Sequence, residues 1–169
     1  ALCRHPGVAK LSFTGSDAGG RAVAEGAARG PRPATLELGG KAPQIVFADA
    51  DPEAALAGLV SGIFLSNGQT CVAGSRLLLE APIHDAFLDR VASLARALGP
   101  GAPMDPAADF GRLANRAQFD KTKAMIAQAV AEGARLVAGG SPARPAACPA
   151  GYFIAPTVFA DVTPAMTLW

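Results

Sequence analysis

The sequence predicts an α/β fold of layered helices and mostly parallel strands. Short apolar runs of strand type alternate with longer runs whose apolar residues recur every three to four positions, as in strand–helix–strand units. Half of the 169 residues are hydrophobic and only 17% are charged, against about 25% in an average globular domain. The chain can therefore bury a sizeable core, and its length fits one domain or parts of two.

The first predicted elements are a strand, a helix and a second strand. Residues 8–13 are apolar-rich and predict a strand, and the alanine-rich run 18–29 predicts a helix that follows the N-cap signal Ser16-Asp17. Residues 30–33 (Gly-Pro-Arg-Pro) break this helix. Residues 34–38 predict the second strand, which ends at two glycines.

The clearest helix start follows a third predicted strand at residues 43–47. Asp51 is the expected N-cap, Pro52 takes the first helical position, and Glu53 places an acid in the first turn. The apolar residues that follow match a 3.6-residue stripe, and Asn67-Gly68 is predicted to end the helix.

The alternation continues to the end of the chain. The predicted elements are a strand at 76–80, a helix at 82–98, a loop at 100–109, a helix at 115–132, a strand at 135–138, a surface insertion at 141–151 and an extended segment at 152–162.

Composition excludes several classes of function. The 15 basic and 14 acidic residues are well mixed, so no nucleic-acid partner is expected. The longest apolar stretch, about residues 56–65, is too short to span a bilayer, and no signal segment opens the chain. Three widely spaced cysteines predict neither a disulfide framework nor a metal site, and they favour a reducing, cytoplasmic setting.

Cys71 is the first candidate for chemistry. It follows Asn67-Gly68-Gln69-Thr70, a turn signal after an apolar helix, and loops on rigid scaffolds often carry functional side chains. Two interpretations stay open, a buried core thiol and a catalytic nucleophile. A papain-like pairing needs a partnered histidine, and neither His5 nor His84 has that context.

Glu37 is the second candidate. It lies between two leucines on the strand that ends at Gly39-Gly40. A general base and a strand glutamate facing solvent are both open interpretations.

Two further segments, taken alone, have ordinary structural interpretations. Residues 15–20 open a helix after a strand, which suits a phosphate, but Arg21-Ala22 replaces the Lys-Ser/Thr of a P-loop. An ordinary helix cap is favoured there. Gln118 and Lys121 lie early in a helix and are read as a solvated face.

Together these pieces resemble the aldehyde dehydrogenase superfamily. The ordered motifs that carry the resemblance cover nearly the whole chain: Phe13-Thr14-Gly15-Ser16, Leu36-Glu37-Leu38-Gly39-Gly40-Lys41, Gly68-Gln69-Thr70-Cys71, Ala73-Gly74-Ser75-Arg76, Gln118-Phe119-x-Lys121 and Gly151-Tyr152-Phe153-x-x-Pro156-Thr157-Val158.

The resemblance implies oxidation of an aldehyde to a carboxylic acid with NAD or NADP. Cys71 is the implied nucleophile, which forms a thiohemiacetal and then a thioester, and its backbone N–H is an implied oxyanion donor. Glu37 is the implied base that activates water for thioester hydrolysis. Its presence favours a free acid as product rather than transfer to coenzyme A.

The resemblance also implies the cofactor contacts. These are Gly15, Ser16 and Gly20 at a pyrophosphate-binding turn, Leu38 and Gly39 beside the nicotinamide, and Gln118 and Lys121 on the ribose side. Residues 1–38 would be the end of a Rossmann-type cofactor domain, and residues 39–169 the front part of an α/β catalytic domain.

The resemblance further implies that the chain is a fragment of a homo-oligomeric enzyme. A second oxyanion donor (an asparagine) and a ribose-binding glutamate of the family are absent from these residues, and incomplete sheets with unpaired edges are expected. Two alternatives remain, an inactive fragment and a thiol enzyme that is independent of nicotinamide. The run Ser66-Asn67-Gly68-Gln69 is similar to that of betaine aldehyde and aminoaldehyde members, without fixing the substrate.

Overall fold

The computed structural model describes all 169 residues, which form two compact units, Ala1–Gly40 and Lys41–Trp169. The α/β class is confirmed. The elements are β1 (Leu11–Thr14), α1 (Asp17–Ala28), β2 (Ala34–Glu37), β3 (Pro43–Val46), α2 (Pro52–Ile63), β4 (Arg76–Leu79), α3 (His84–Ala97), α4 (Arg116–Ala131), β5 (Arg135–Ala138), β6 (Pro142–Ala143), β7 (Phe153–Ile154) and β8 (Val158–Ala160).

The first unit is a single strand–helix–strand motif. β1 and β2 pair in parallel, with Thr14 opposite Glu37 at their carboxyl ends. The helix α1 connects them, and Ser16 caps it by accepting a hydrogen bond from the Gly19 N–H at 3.2 Å. The contacts divide the chain after Gly40, two residues beyond the boundary predicted at Leu38.

Arg32 fastens the N-terminal segment to this motif. Its guanidinium donates to the carbonyl oxygens of Cys3 (2.6 Å), His5 (2.8 Å), Val8 (3.3 Å) and Gly26 (3.2 Å). A planar group with five donors can bind several carbonyls at once. One arginine therefore ties residues 3–8 to the helix α1.

The second unit begins with another parallel pair. β3 and β4 pair in parallel, and the helix α2 connects them along the chain. Their inner face packs with α2 and α3 into a hydrophobic core. The buried members of this core are Val46, Leu59, Phe87 and Val91. The outer face differs, because Ile45 and Phe47 are 61% and 63% exposed, although parallel strands are usually covered on both faces.

The end of α2 differs from the prediction. The helix ends at Ile63 rather than at Asn67-Gly68, and the chain continues through a short 3₁₀ turn, Leu65–Gly68. Ser66 and Asn67 have positive φ angles of 53° and 58°, so they cannot continue a right-handed helix.

The strands after α4 are antiparallel, so the prediction of mostly parallel strands was wrong for half of the four pairs. β5 pairs with β8 and β6 pairs with β7, both antiparallel. The predicted surface insertion 141–151 therefore contains a strand, β6. Gly139 and Gly140, between β5 and β6, have left-handed φ of 72° and 87°. Each strand has a single neighbour, so each leaves one edge unpaired.

The last residues are tied to the end of α4. Glu132 accepts hydrogen bonds from the Thr167 N–H (2.7 Å), the Thr167 hydroxyl (2.6 Å) and the Gln128 amide (2.7 Å). The bonds from the Gln128 side chain and from Thr167 lower the pKa of Glu132. The charged carboxylate therefore accepts all three.

Gly139→Ala is expected to destabilise the second unit by about 2–4 kcal/mol, because two costs coincide. The residue has a left-handed φ, and an added Cβ would collide with the carbonyl oxygen of Pro156. Gly133→Ala is the matched control, since its φ of 92° is also left-handed but a Cβ there meets nothing within 4 Å. Urea unfolding followed by circular dichroism measures both. Equal losses of stability would show that the collision with Pro156 is absent.

None of the helices combines the length and the apolar character that crossing a membrane requires. No group of three or more His, Cys, Asp or Glu side chains is arranged to hold a metal ion.

Candidate active site

Cys71 lies in a tight turn before β4. The chain reverses at residues 70–73, where the Ala73 N–H donates to the Thr70 carbonyl at 3.1 Å. Cys71 is exposed, so it is not a buried core thiol in this structure. Its backbone N–H has no hydrogen-bond acceptor in the protein. A thiol and a free N–H on one residue can serve as nucleophile and as donor to a developing oxyanion.

The turn rests on a close-packed support. The Gly74 N–H donates to the Gly62 carbonyl of α2 at 2.9 Å, and the Gln44 side-chain amide donates to the Gly74 carbonyl at 2.8 Å. A Cβ at Gly74 would collide with Gln44, and one at Gly62 would come within 2.6 Å of it. The absence of a Cβ at Gly74 allows Gln44 to approach this closely, so the buried pair Ala73 and Gly74 anchors the exposed thiol to the rest of the unit.

The segment before Cys71 is left-handed over three consecutive residues. Ser66, Asn67 and Gly68 have φ of 53°, 58° and 70°. Such a conformation costs roughly 1–2 kcal/mol for an ordinary residue, and less for glycine and asparagine. The turn is therefore held by contacts elsewhere in the unit.

The contacts that hold the turn come from residues more than 40 positions away and have no local signal in the sequence. The Gly111 N–H donates to Asn67 Oδ1 at 2.7 Å, and Asn67 Nδ2 donates to the Arg112 carbonyl at 3.3 Å. The Ala114 N–H donates to Gln69 Oε1 at 2.9 Å. The Asn-Gly pair predicts a helix stop, and asparagine before glycine is also a signal for left-handed backbone.

Glu37 lies at the carboxyl end of the parallel pair in the first unit. Its carbonyl accepts a hydrogen bond from the Gly15 N–H at 3.0 Å, which brings the two glycine-containing motifs of this unit together. Its side chain is exposed. Ligands of open α/β sheets bind outside the carboxyl ends of the strands, which is where this carboxylate lies.

The start of α1 leaves backbone donors free at the same edge. The N–H groups of Asp17 and Ala18 have no acceptor in the protein, because the Ser16 side chain and carbonyl serve Gly19 and Gly20. Unpaired N–H groups at a helix start suit an anion.

Leu38 and the glycines shape this edge. The Leu38 side chain packs against Gly20, where an added Cβ would come within 2.7 Å of it. The Phe13 ring lies similarly close to Gly15 and Gly19. A Cβ on Gly39 would meet nothing within 4 Å, so the space beside it is open.

Gln118 and Lys121 lie in the first two turns of α4 in the second unit. Asn115 caps this helix by accepting from the Gln118 N–H at 2.9 Å. Both side chains are exposed and make no hydrogen bond or ion pair within the protein. Phe119 between them packs on Tyr152, with ring centroids 5.6 Å apart. The packed Phe119 therefore leaves its two polar neighbours at the surface.

The predicted residues thus fall into two groups. The first unit holds Glu37 with five other predicted residues, at the carboxyl edge of its strands or the start of α1, and the second holds Cys71, Gln118 and Lys121. Fold and residues together define an α/β protein with an exposed thiol on a supported turn in the second unit and, in the first, a helix start with unpaired N–H groups and an exposed glutamate.

The aldehyde dehydrogenase family model matches residues 1–169, and the chain belongs to that family. The betaine aldehyde dehydrogenase of Cereibacter sphaeroides is 48% identical over 168 residues, which cover 99% of this chain and 34% of that protein. The betaine aldehyde dehydrogenase of Sinorhizobium fredii is also 48% identical, over 167 residues and with the same shares. The chain therefore spans about a third of the length of the curated relatives it matches.

Solved structures share the fold. The NAD+ complex of the aldehyde dehydrogenase from Bacillus cereus matches with a TM-score of 0.92 and 37% identity, over 98% of this chain and 33% of that one. The NAD-dependent aldehyde dehydrogenase from Sinorhizobium meliloti matches with a TM-score of 0.92 and 40% identity, over 99% and 32%.

Proposed function

We propose that the full-length protein oxidises an aldehyde to a carboxylic acid, with NAD+ or NADP+ as the hydride acceptor. The observation that carries this proposal is the exposed Cys71 thiol on a supported turn with its own backbone N–H free. Membership of the aldehyde dehydrogenase family supports the reaction class.

Cys71 attacks first in this reaction. Its thiolate adds to the aldehyde carbon and gives a thiohemiacetal, and the Cys71 N–H donates to the oxygen that becomes negatively charged. A nicotinamide cofactor, when bound, would supply the hydride acceptor for that carbon. The hydroxyl proton would leave to solvent, and Cys71 would then hold a thioester.

Glu37 acts in the second half of the reaction. Its carboxylate takes a proton from water, the resulting hydroxide attacks the thioester carbon, and the carbon–sulfur bond breaks. The products are the carboxylic acid and the free Cys71 thiol. An exposed carboxylate at the carboxyl edge of the strands is accessible to water, which supports this role.

The residues of the first unit fit a dinucleotide. The unpaired N–H groups of Asp17 and Ala18, the Ser16 cap and the small Gly15 would hold the pyrophosphate at the start of α1. The open space beside Gly39 leaves room for a flat ring next to Leu38. Gln118 and Lys121, exposed and unpaired, would contact the ribose side. Residues 1–38 would then end the cofactor domain, and 39–169 would begin the catalytic domain.

The full-length protein is expected to reduce NAD+ or NADP+ on addition of an aldehyde, with one acid formed per hydride. Absorbance of the reduced nicotinamide and analysis of the acid measure both. Betaine aldehyde is the first substrate to test, because the relatives at 48% identity are named betaine aldehyde dehydrogenases. Aliphatic and aromatic aldehydes complete the panel. Failure with both cofactors and all aldehydes would exclude the proposal, and the same assay on the 169 residues alone tests the inactive-fragment alternative.

A further inference from the structure

The turn before Cys71 has a conformation that its own residues do not favour. Three left-handed residues in a row, Ser66 to Gly68, lie within a few positions of the thiol. Only Asn67 and Gly68 tolerate this backbone well, and Ser66 does not. A turn of this kind keeps one shape only where other parts of the protein over-determine it.

The side chain of Asn67 supplies the first part of that support. Its amide both accepts from the Gly111 N–H and donates to the Arg112 carbonyl. These bonds reach a segment 44 and 45 residues further along the chain. Asn67 is partly buried, so losing its side chain would leave the Gly111 N–H without its partner.

Gln69 supplies the second part. Its Oε1 accepts from the Ala114 N–H at 2.9 Å. The next residue, Asn115, caps α4 through the Gln118 N–H. Gln69, two positions before Cys71, is therefore connected to the first turn of α4 by its hydrogen bond to Ala114, the Ala114–Asn115 peptide bond and the Asn115 cap.

We propose that Asn67 and Gln69 are positioning residues, which clamp the Cys71 turn to residues 111–114 and thereby fix the thiol relative to the start of α4. This role rests on the proposed function, because it matters for catalysis only if Cys71 is the nucleophile and α4 contacts the cofactor. The hydrogen bonds of both side chains go to residues 111–114 and not to Cys71. Each acts by holding the turn in the one geometry from which the thiol can attack.

The clamp is expected to affect turnover more than cofactor binding. Misplacing a nucleophile by about 1 Å can cost on the order of 100-fold in rate. Loss of either side chain leaves the residues of the first unit unchanged. We therefore expect kcat to fall about 10- to 100-fold, with little change in the KM for NAD+.

Two pairs of variants in the full-length protein separate the clamp from other effects. Asn67→Gly keeps a residue that tolerates the left-handed backbone but removes both hydrogen bonds, so strain cannot explain its loss of rate. Ser66→Gly is its control, because it relieves strain in the same turn while Ser66 makes no side-chain hydrogen bond. Gln69→Leu removes the acceptor for the Ala114 N–H, whereas Gln69→Glu retains an acceptor oxygen.

The variants are compared by steady-state kinetics and by hydrogen exchange, at a temperature where circular dichroism shows all of them folded. Asn67→Gly should speed exchange at the Gly111 amide, Gln69→Leu should do so at Ala114, and both should lower kcat. Ser66→Gly should leave kcat and exchange unchanged, and Gln69→Glu should restore most of the rate.

Two results would overturn the clamp. Wild-type kcat in both Asn67→Gly and Gln69→Leu would remove the positioning role, and unchanged exchange at Gly111 and Ala114 would show that the hydrogen bonds do not form in solution. A wild-type protein that oxidises no aldehyde overturns the proposed function instead, while the exchange measurement still decides whether the clamp exists.

Discussion

Cys71→Ala is expected to lower aldehyde oxidation by the full-length protein by at least about 10⁴-fold, to the level of the assay background. Alanine removes the sulfur that forms the thiohemiacetal and the thioester, and no other side chain of the turn can replace it. The first turnover should vanish together with the steady state, because bond formation to sulfur precedes hydride transfer. Stopped-flow absorbance of the reduced nicotinamide resolves both phases.

Cys148→Ala is the matched control for this variant. Cys148 is also a free thiol in the second unit, but it is half-buried beside the β6–β7 hairpin. Its replacement should leave both phases unchanged. If Cys71→Ala kept the wild-type rate, the assignment of the nucleophile would have to be abandoned.

Glu37→Gln is expected to separate the two halves of the reaction. Glutamine cannot take a proton from water, so thioester hydrolysis should slow about 10²- to 10⁴-fold, the usual contribution of a general base. The first hydride transfer does not need this base in the proposed sequence. A burst of reduced nicotinamide, close to one per active site, should therefore be followed by slow turnover.

Glu25→Gln provides the comparison, since Glu25 is an exposed glutamate on α1 of the same unit. It should turn over like the wild type without a burst. Hydroxylamine, which cleaves thioesters directly, should raise the slow rate of Glu37→Gln. Unchanged steady-state turnover in Glu37→Gln would remove Glu37 as the base, while leaving Cys71 as the nucleophile.

The elements that the sequence predicted well carry strong local signals. Asp51 before Pro52 and Asn115 before α4 are caps whose side chains bond the first N–H groups of their own helices. The strand predicted at 135–138 has the bounds of β5. In each case neighbours in sequence decide the structure, so the sequence is sufficient.

The elements that were predicted poorly depend on distant partners. β6 consists of Pro142 and Ala143 only, and it is a strand because Ala143 pairs with the buried Phe153. Nothing within two residues of β6 indicates that pairing. The predicted end of α2 is too late for a similar reason. The apolar stripe continues to Phe64, but the left-handed turn that follows is stabilised by residues 111–114, which are far away in sequence.

The candidate site divides in the same way. Residue types singled out Cys71 and Glu37 with two interpretations each and favoured an ordinary cap at the start of α1. The resemblance to aldehyde dehydrogenases then implied the roles of nucleophile, base and pyrophosphate-binding turn. Whether the thiol is buried or exposed depends on packing. The turn that carries the exposed thiol is held by the contacts of Gln44 with Gly62 and Gly74.

The sequence by itself therefore determined the family motifs, the chemistry available at Cys71 and Glu37, and the elements with their own caps. Only the tertiary structure decided that the thiol is exposed, that half of the strand pairs are antiparallel, and that Asn67 and Gln69 hold the turn to residues 111–114. The physical reason is the range of the interactions. Caps and turns are stabilised within a few residues, whereas the clamp joins groups more than 40 positions apart that meet only in the folded chain.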